Sequence, residues 1–160
     1  MIREVKTEDL SVCTAVIRES FLTVARDFGF TPVNAPRFTA FATTEERLSW
    51  HLKVEQRPMY AFYDRGQIVG YYSLLLLNNQ VCELNNLCVL PSYRHRGIGT
   101  ALLHHAFMTA RNFGCCKMKI GIVEENQILK KWYETFGFYH IETQKFDFFP
   151  FTCGYMEKNL

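Results

Sequence analysis

Leu10, Cys13, Ile17, Phe21, Val24 and Phe28 fall three or four residues apart, the spacing of one apolar helix face. Thr7 stands where an N-cap for that helix belongs, and Gly29 stands where it should stop. Ahead of it, Ile2 to Val5 reads as a short first strand. A turn-rich stretch with Pro32, Asn34 and Pro36 follows, and Thr43-Thr44-Glu45-Glu46 then offers a capping box for a second helix that Pro58 must end. From Met59 the period changes. Met59 to Asp64, Gln67 to Leu77 and Val81 to Leu90 are rich in Tyr, Val, Leu and Phe and are separated by Arg65-Gly66 and Asn78-Asn79-Gln80, the pattern of an antiparallel meander. A third helix after Gly97 carries Ile98, Leu102, Ala106 and Ala110 at spacing four, and Gly114 ends it. Cys116 to Val123 reads as a buried strand. Asn126 caps a fourth helix bearing Leu129, Trp132, Tyr133 and Phe136 before Gly137, and the remainder fits two more strands. The expected class is α+β, a mixed and mostly antiparallel sheet of six to seven strands flanked by about four helices.

Composition narrows the function classes. With 48% apolar, 15% aromatic and 21% charged residues over 160 positions, the chain can bury a core of one domain, taken as residues 1–160. The net charge of +2 excludes the broad basic field of a non-specific nucleic-acid binder, so any anion site must be local. No run approaches the eighteen or so apolar residues of a membrane span. The start, Met1-Ile2-Arg3-Glu4-Val5-Lys6, lacks the order of a signal peptide, so a cytoplasmic location is expected. The six cysteines include no C-x-x-C pair, and no His stands at metal-ligand spacing from a Cys pair, so they read as reduced, buried apolar residues and no metal is expected.

The most informative stretch runs from Cys88 to Thr100. A strand ends at Pro91, a basic loop follows as Arg94-His95-Arg96, and Gly97 and Gly99 open a helix. Missing side chains there let an anion approach the backbone, whose unpaired N–H groups and positive dipole end favour phosphate. Leu102 stands where a dinucleotide fingerprint needs its third glycine, and no Gly-Lys-Ser/Thr of a P-loop is present.

Arg94-x-x-Gly97-x-Gly99 after a Val89-x-Pro91 strand end resembles motif A of the GNAT superfamily of acetyl-coenzyme A dependent N-acetyltransferases. Glu83 lies six residues before Val89 on the same strand, where many members carry a general base. Asn126 to Gly137-Phe138 is similar to the family's Asn, Tyr, Gly-Phe signature. The resemblance covers about Met59 to Phe138 and implies acetyl-CoA as co-substrate and a sheet whose fourth and fifth strands splay at a bulge, with pantetheine in the gap. Asn85-Asn86 interrupts an otherwise apolar strand face and is where such a bulge is expected. The implied cofactor contacts are Leu87, Cys88 and Val89 on the strand, Arg94, His95, Arg96, Gly97, Ile98, Gly99 and Thr100 in the loop, and Asn126 and Tyr133 on the fourth helix.

An amine nucleophile with a pKa near 10.4 must lose a proton before or during attack, and Glu83, flanked by Cys82 and Leu84, is the candidate base. Tyr133, seven residues after Asn126 and so on the same helix face, is the candidate acid for the departing thiolate. A covalent route through Cys88 lacks a nearby His in sequence to activate the thiol. The acceptor is a small-molecule or peptide amine. Phe21, Phe28 and Phe30 with Phe146, Phe148, Phe149 and Phe151 suggest an aromatic wall beside it, and they equally fit a core or a homodimer interface. A coenzyme A binding module without transfer activity and a transferase acting on aminoacylated RNA are the rival readings.

Overall fold

The computed structural model describes residues 1–160. Seven strands form one sheet: β1 (Ile2–Glu4), β2 (Met59–Asp64), β3 (Gln67–Leu76), β4 (Val81–Val89), β5 (Lys117–Val123), β6 (Tyr139–Lys145) and β7 (Thr152–Asn159), in the order β1-β2-β3-β4-β5-β7-β6. Only β4 and β5 run parallel, as the intervening crossover helix requires. The helices are α1 (Leu10–Phe28), α2 (Thr39–Ala42), α3 (Glu45–Lys53), α4 (Ile98–Asn112) and α5 (Gln127–Thr135). None is long and apolar enough to cross a membrane.

The elements follow the apolar pattern, with three local departures. Thr7 does not cap α1: a 3-10 turn over Thr7–Asp9 precedes the helix, and the Asp9 carboxylate instead accepts from the Lys6 N–H at 2.9 Å. α3 is capped by Thr44, whose hydroxyl accepts from Arg47 N–H at 3.1 Å, and it ends at Lys53, five residues before Pro58. The third is α2, a single turn that no periodicity announces; it is held by Ala40, fully buried among aromatic residues. α5 does start at Asn126, whose side chain accepts from Leu129 N–H at 3.3 Å.

Burial divides the sheet into two faces. On one, α4 and α5 bury Leu102, Leu103, Ala106 and Tyr133 against Tyr72, Leu74, Cys82 and Leu84. On the other, α1 and α3 bury Leu10, Ile17 and Leu48 against Ala61, Tyr71 and Cys88. An aromatic cluster of Phe30, Phe38 and Phe151 continues that second face toward β5. Gly70 on β3 is where α4 comes closest, because a Cβ there would lie 2.8 Å from Leu102 Cδ1 and 3.1 Å from the Cys88 carbonyl oxygen. Gly70→Ala should therefore cost about 1–3 kcal/mol by overpacking, read as a thermal midpoint several degrees lower.

Candidate active site

The site begins with a break in backbone pairing. β4 and β5 share three rungs, Val81 with Lys117, Cys82 with Met118 and Glu83 with Lys119. Beyond Glu83, β4 runs on to Val89 with no partner on its β5 side, while β5 pairs with β7 alone. The cause lies on the other edge of β4. Tyr71 faces Cys88 and Ser73 faces Asn85, so Tyr72 alone opposes Asn86 and Leu87. That is a β-bulge at Asn86-Leu87, one residue on from the expected Asn85-Asn86, with Asn86 at a φ of 54°. The extra residue also swaps faces: Cys82 and Leu84 point toward α4, Leu87 and Val89 do so after the bulge, and Cys88 turns toward α1.

Glu83 thus occupies the last shared rung, half-buried, on the face opposite Cys82. Its Oε1 accepts from Asn85 Nδ2 at 2.7 Å. Burial pushes its carboxyl above the usual carboxylate range, with Arg57, the Asn85 hydrogen bond and Lys119 opposing that shift.

At the far end of β4, Pro91–Tyr93 forms a 3-10 turn and the loop enters α4 with His95 at a φ of 62° and Gly97 at 79°. The first helical bond in this region is from Ala101 N–H to the Gly97 carbonyl. The N–H groups of His95, Arg96, Gly97, Ile98, Gly99 and Thr100 consequently have no acceptor within the chain. Six free donors in series at a helix start are the kind of groups a diphosphate needs, so the residues present fit the coenzyme A end of acetyl-CoA. Trp132 of α5 packs over this start, its ring 3.8 Å from where a Cβ of Gly99 would sit.

Arg94 does not join the cradle. Its guanidinium donates to Val89 O at 3.0 Å, Thr23 Oγ1 at 3.0 Å and Ser20 O at 2.9 Å, and its N–H donates to Pro91 O at 3.3 Å. The side chain expected at the pyrophosphate instead ties the end of β4 to α1, because two buried carbonyls and a hydroxyl there need donors more than an exposed loop does. Arg96 lies against the Tyr93 ring at 5.2 Å and is left as the exposed cation of the loop.

Tyr133 is 6% exposed and stacks edge-on with Trp132 and Phe138. Its hydroxyl is neither hydrogen-bonded within the chain nor sealed from solvent, and burial raises its pKa well above that of a free phenol. Cys88 is fully enclosed, its thiol pushed up to about 12, which removes it as a nucleophile at neutral pH.

Two cavities flank the parted strands. A groove of about 1050 Å³ runs along α2 and α3 to Asn85 and Asn86, lined mainly by polar residues including Arg47, His51, Glu55 and Arg57. A smaller apolar cavity of about 240 Å³ lies under Phe21, Phe38, Phe149, Phe151 and Tyr155 and reaches Asn126. The two share Arg37 and Thr39. The aromatic wall is thus partly core and partly cavity. Phe30 and Phe151 are buried, Phe28 stacks on Phe30, and Phe146 and Phe148 lie outside on the β6–β7 loop. Phe38, Arg57 and the α3 groove are the parts of the site that sequence spacing did not mark.

A carboxyl raised by burial costs the fold stability at neutral pH. The folded state resists ionisation more than the unfolded one, so the penalty appears as pH rises above the unfolded value near 4.5 and vanishes below it. Glu83→Gln should accordingly raise the thermal midpoint at pH 7–8, with the gain fading toward pH 4.

The chain was compared with known proteins. Residues 22–138 match the Acetyltransferase (GNAT) family. An uncharacterized N-acetyltransferase of Mycobacterium tuberculosis is 28% identical over 107 residues, 67% of this chain and 69% of that protein. Another, from the pepI 3′ region of Lactobacillus delbrueckii subsp. lactis, is 26% identical over 145 residues, 85% of this chain and 82% of the relative. In fold, the chain is similar to PaiA N-acetyltransferase of Thermoplasma acidophilum, solved in complex with coenzyme A, at a TM-score of 0.86 and 21% identity, covering 100% of this chain and 98% of that one. With a family match spanning most of its length, a bulged and parted β4–β5 pair and a free-donor loop at the start of α4, this chain belongs to the GNAT family of acetyltransferases and is an acyltransferase that uses acetyl-CoA.

Proposed function

We propose that the enzyme transfers an acetyl group to a primary amine by direct attack in a ternary complex, with Glu83 as general base and Tyr133 as general acid. Acetyl-CoA supplies the activated acetyl group. The observation that carries the reading is the position of Glu83 on the last rung before β4 and β5 part, hydrogen-bonded to the Asn85 that closes the α3 groove. A carboxyl whose pKa is raised toward neutrality is better matched to collecting an amine proton than a freely hydrated one.

The rest of the chain's work is binding and proton delivery. The main-chain donors of His95 to Thr100 hold the diphosphate end, and the unpaired edge of β4 from Leu87 through Cys88 to Val89 offers backbone groups to the arm that lies in the gap. Asn126 caps α5 with its side-chain oxygen, and its amide nitrogen stays available to the same arm. Tyr133, still a neutral phenol at physiological pH, gives its proton to the departing sulfur. The acceptor amine enters from the α3 groove, and the aromatic cavity beyond Arg37 receives an apolar substituent of the acceptor.

Three measurements test this. Tyr133→Phe should lower kcat on the order of 10²-fold while calorimetric affinity for acetyl-CoA is unchanged; equal turnover in variant and wild type removes the tyrosine from the mechanism. Gly97→Asp should abolish acetyl-CoA binding, because it puts a side chain at a φ of 79° and a negative charge among the free donors. Thiol release over a panel of amino acids, polyamines, peptide N-termini and aromatic amines separates a transferase from a module that only binds coenzyme A: binding without release against every amine favours the latter.

A further inference from the structure

Glu83 does not stand alone. Its Oε1 is held by Asn85 Nδ2 at 2.7 Å, Asn85 Oδ1 accepts from Arg57 Nη1 at 3.1 Å, and Arg57 is gripped by Glu55 through Nη2 at 3.0 Å and Nε at 3.2 Å. Arg57 is in turn anchored by its main chain, whose N–H donates to the His51 carbonyl at 2.9 Å at the end of α3. The Asn85 amide has only one orientation that works. A guanidinium cannot accept and a carboxylate cannot donate, so the amide oxygen must face Arg57 and its NH2 must face Glu83. The Arg57 side chain is only 13% exposed, although Glu55 behind it meets solvent at the open groove.

We propose that Asn85 and Arg57 are positioning residues for the general base: they lock Glu83 Oε1 against the bulge and leave Oε2, which has no partner within the chain, as the atom presented to the acceptor amine. This rests on the reading of Glu83 as base. The bulge is what allows it. Asn85 is the last residue before β4 changes faces, so it stays on the same side as Glu83 and beside the α3 groove. Arg57 sits between α3 and β2, so the end of α3 is linked to the carboxylate through a single amide.

The arrangement also sets the charge state of Glu83. The groups facing it are Arg57 with Glu55 behind it, Lys119 on β5, Tyr155 on β7 and Asn85 on its own strand, with the Cys82 thiol behind the sheet. Lys119 is itself turned to Glu157 at 3.6 Å and is nearly half exposed. Asn85 and Arg57 both favour the ionised form, so losing either should make the carboxylate harder to form.

The experiment is a 13C NMR titration of the full chain with glutamate side-chain carboxyls labelled, the Glu83 signal being the one missing in Glu83→Gln. Asn85→Leu and Arg57→Met should each move the Glu83 midpoint up by about half to one pH unit, and Arg57→Lys, which keeps the charge, by less. Midpoints unchanged in both variants overturn the proposal. Should a variant fail to fold, the wild-type protein still decides: the side-chain 15N amide signals of Asn85 should shift with the same midpoint as Glu83, and flat signals through that range overturn the contact. Thiol release from acetyl-CoA with the amine panel tests the base separately. Undiminished release in Glu83→Gln removes Glu83 from catalysis whatever the titrations show, whereas lost release with unmoved midpoints removes only the positioning role.

Discussion

The structure turns on one unmade set of hydrogen bonds. Backbone groups in a sheet are ordinarily all paired, since a buried N–H or carbonyl without a partner is costly. Here the extra residue opposite Tyr72 bends β4 away after Glu83, and the edge from Leu84 to Val89 is left open on its β5 side. An extended arm that brings its own donors and acceptors can fill such an edge, as an added strand would. The crossover helix α4 returns the chain to β5 as a parallel partner, and its unpaired first turn lies beside Val89 at the end of β4. One bulge and one helix start therefore leave two sets of unpaired backbone groups at β4 and at the head of α4, the places where the proposed function puts the coenzyme A thioester.

The same bulge distributes the chemistry. By exchanging the faces of β4, it sends Cys88 into the apolar layer under α1, where burial silences its thiol, and keeps Glu83 and Asn85 together beside the polar groove. Arg94 serves this frame and not the ligand. With three donors directed at Val89, Thr23 and Ser20, it fastens the loose end of β4 to α1, a function that a strand missing half its ladder needs. The loop is then left with its unpaired backbone donors and the exposed Arg96.

The two cavities are built differently. The groove along α3 is polar and open, whereas the cavity on the far side of Arg37 is aromatic. Arg37 stacks 4.3 Å from the Phe148 ring and so bridges the α1–α2 connection and the β6–β7 loop, the two segments that bound the apolar cavity.

Much of this was readable along the chain because it depends on local rules. The helical stripes, the meander, the Asn126 cap and the glycine loop are set by neighbours within a few residues, and the structure follows them closely. That Glu83 would sit on a half-buried strand between Cys82 and Leu84 was legible for the same reason, and so, to within one residue, was the bulge. What needed the tertiary structure were contacts between distant segments: the turn of Arg94 toward residues some seventy positions earlier, the entry of Phe38 into the aromatic cluster, and the reach of Arg57 to Asn85 across twenty-eight positions. Periodicity tells which side of an element is buried and says nothing of what stands opposite. A polar side chain's partner is chosen by which donors and acceptors packing leaves without water, and only the assembled sheet and helices decide that.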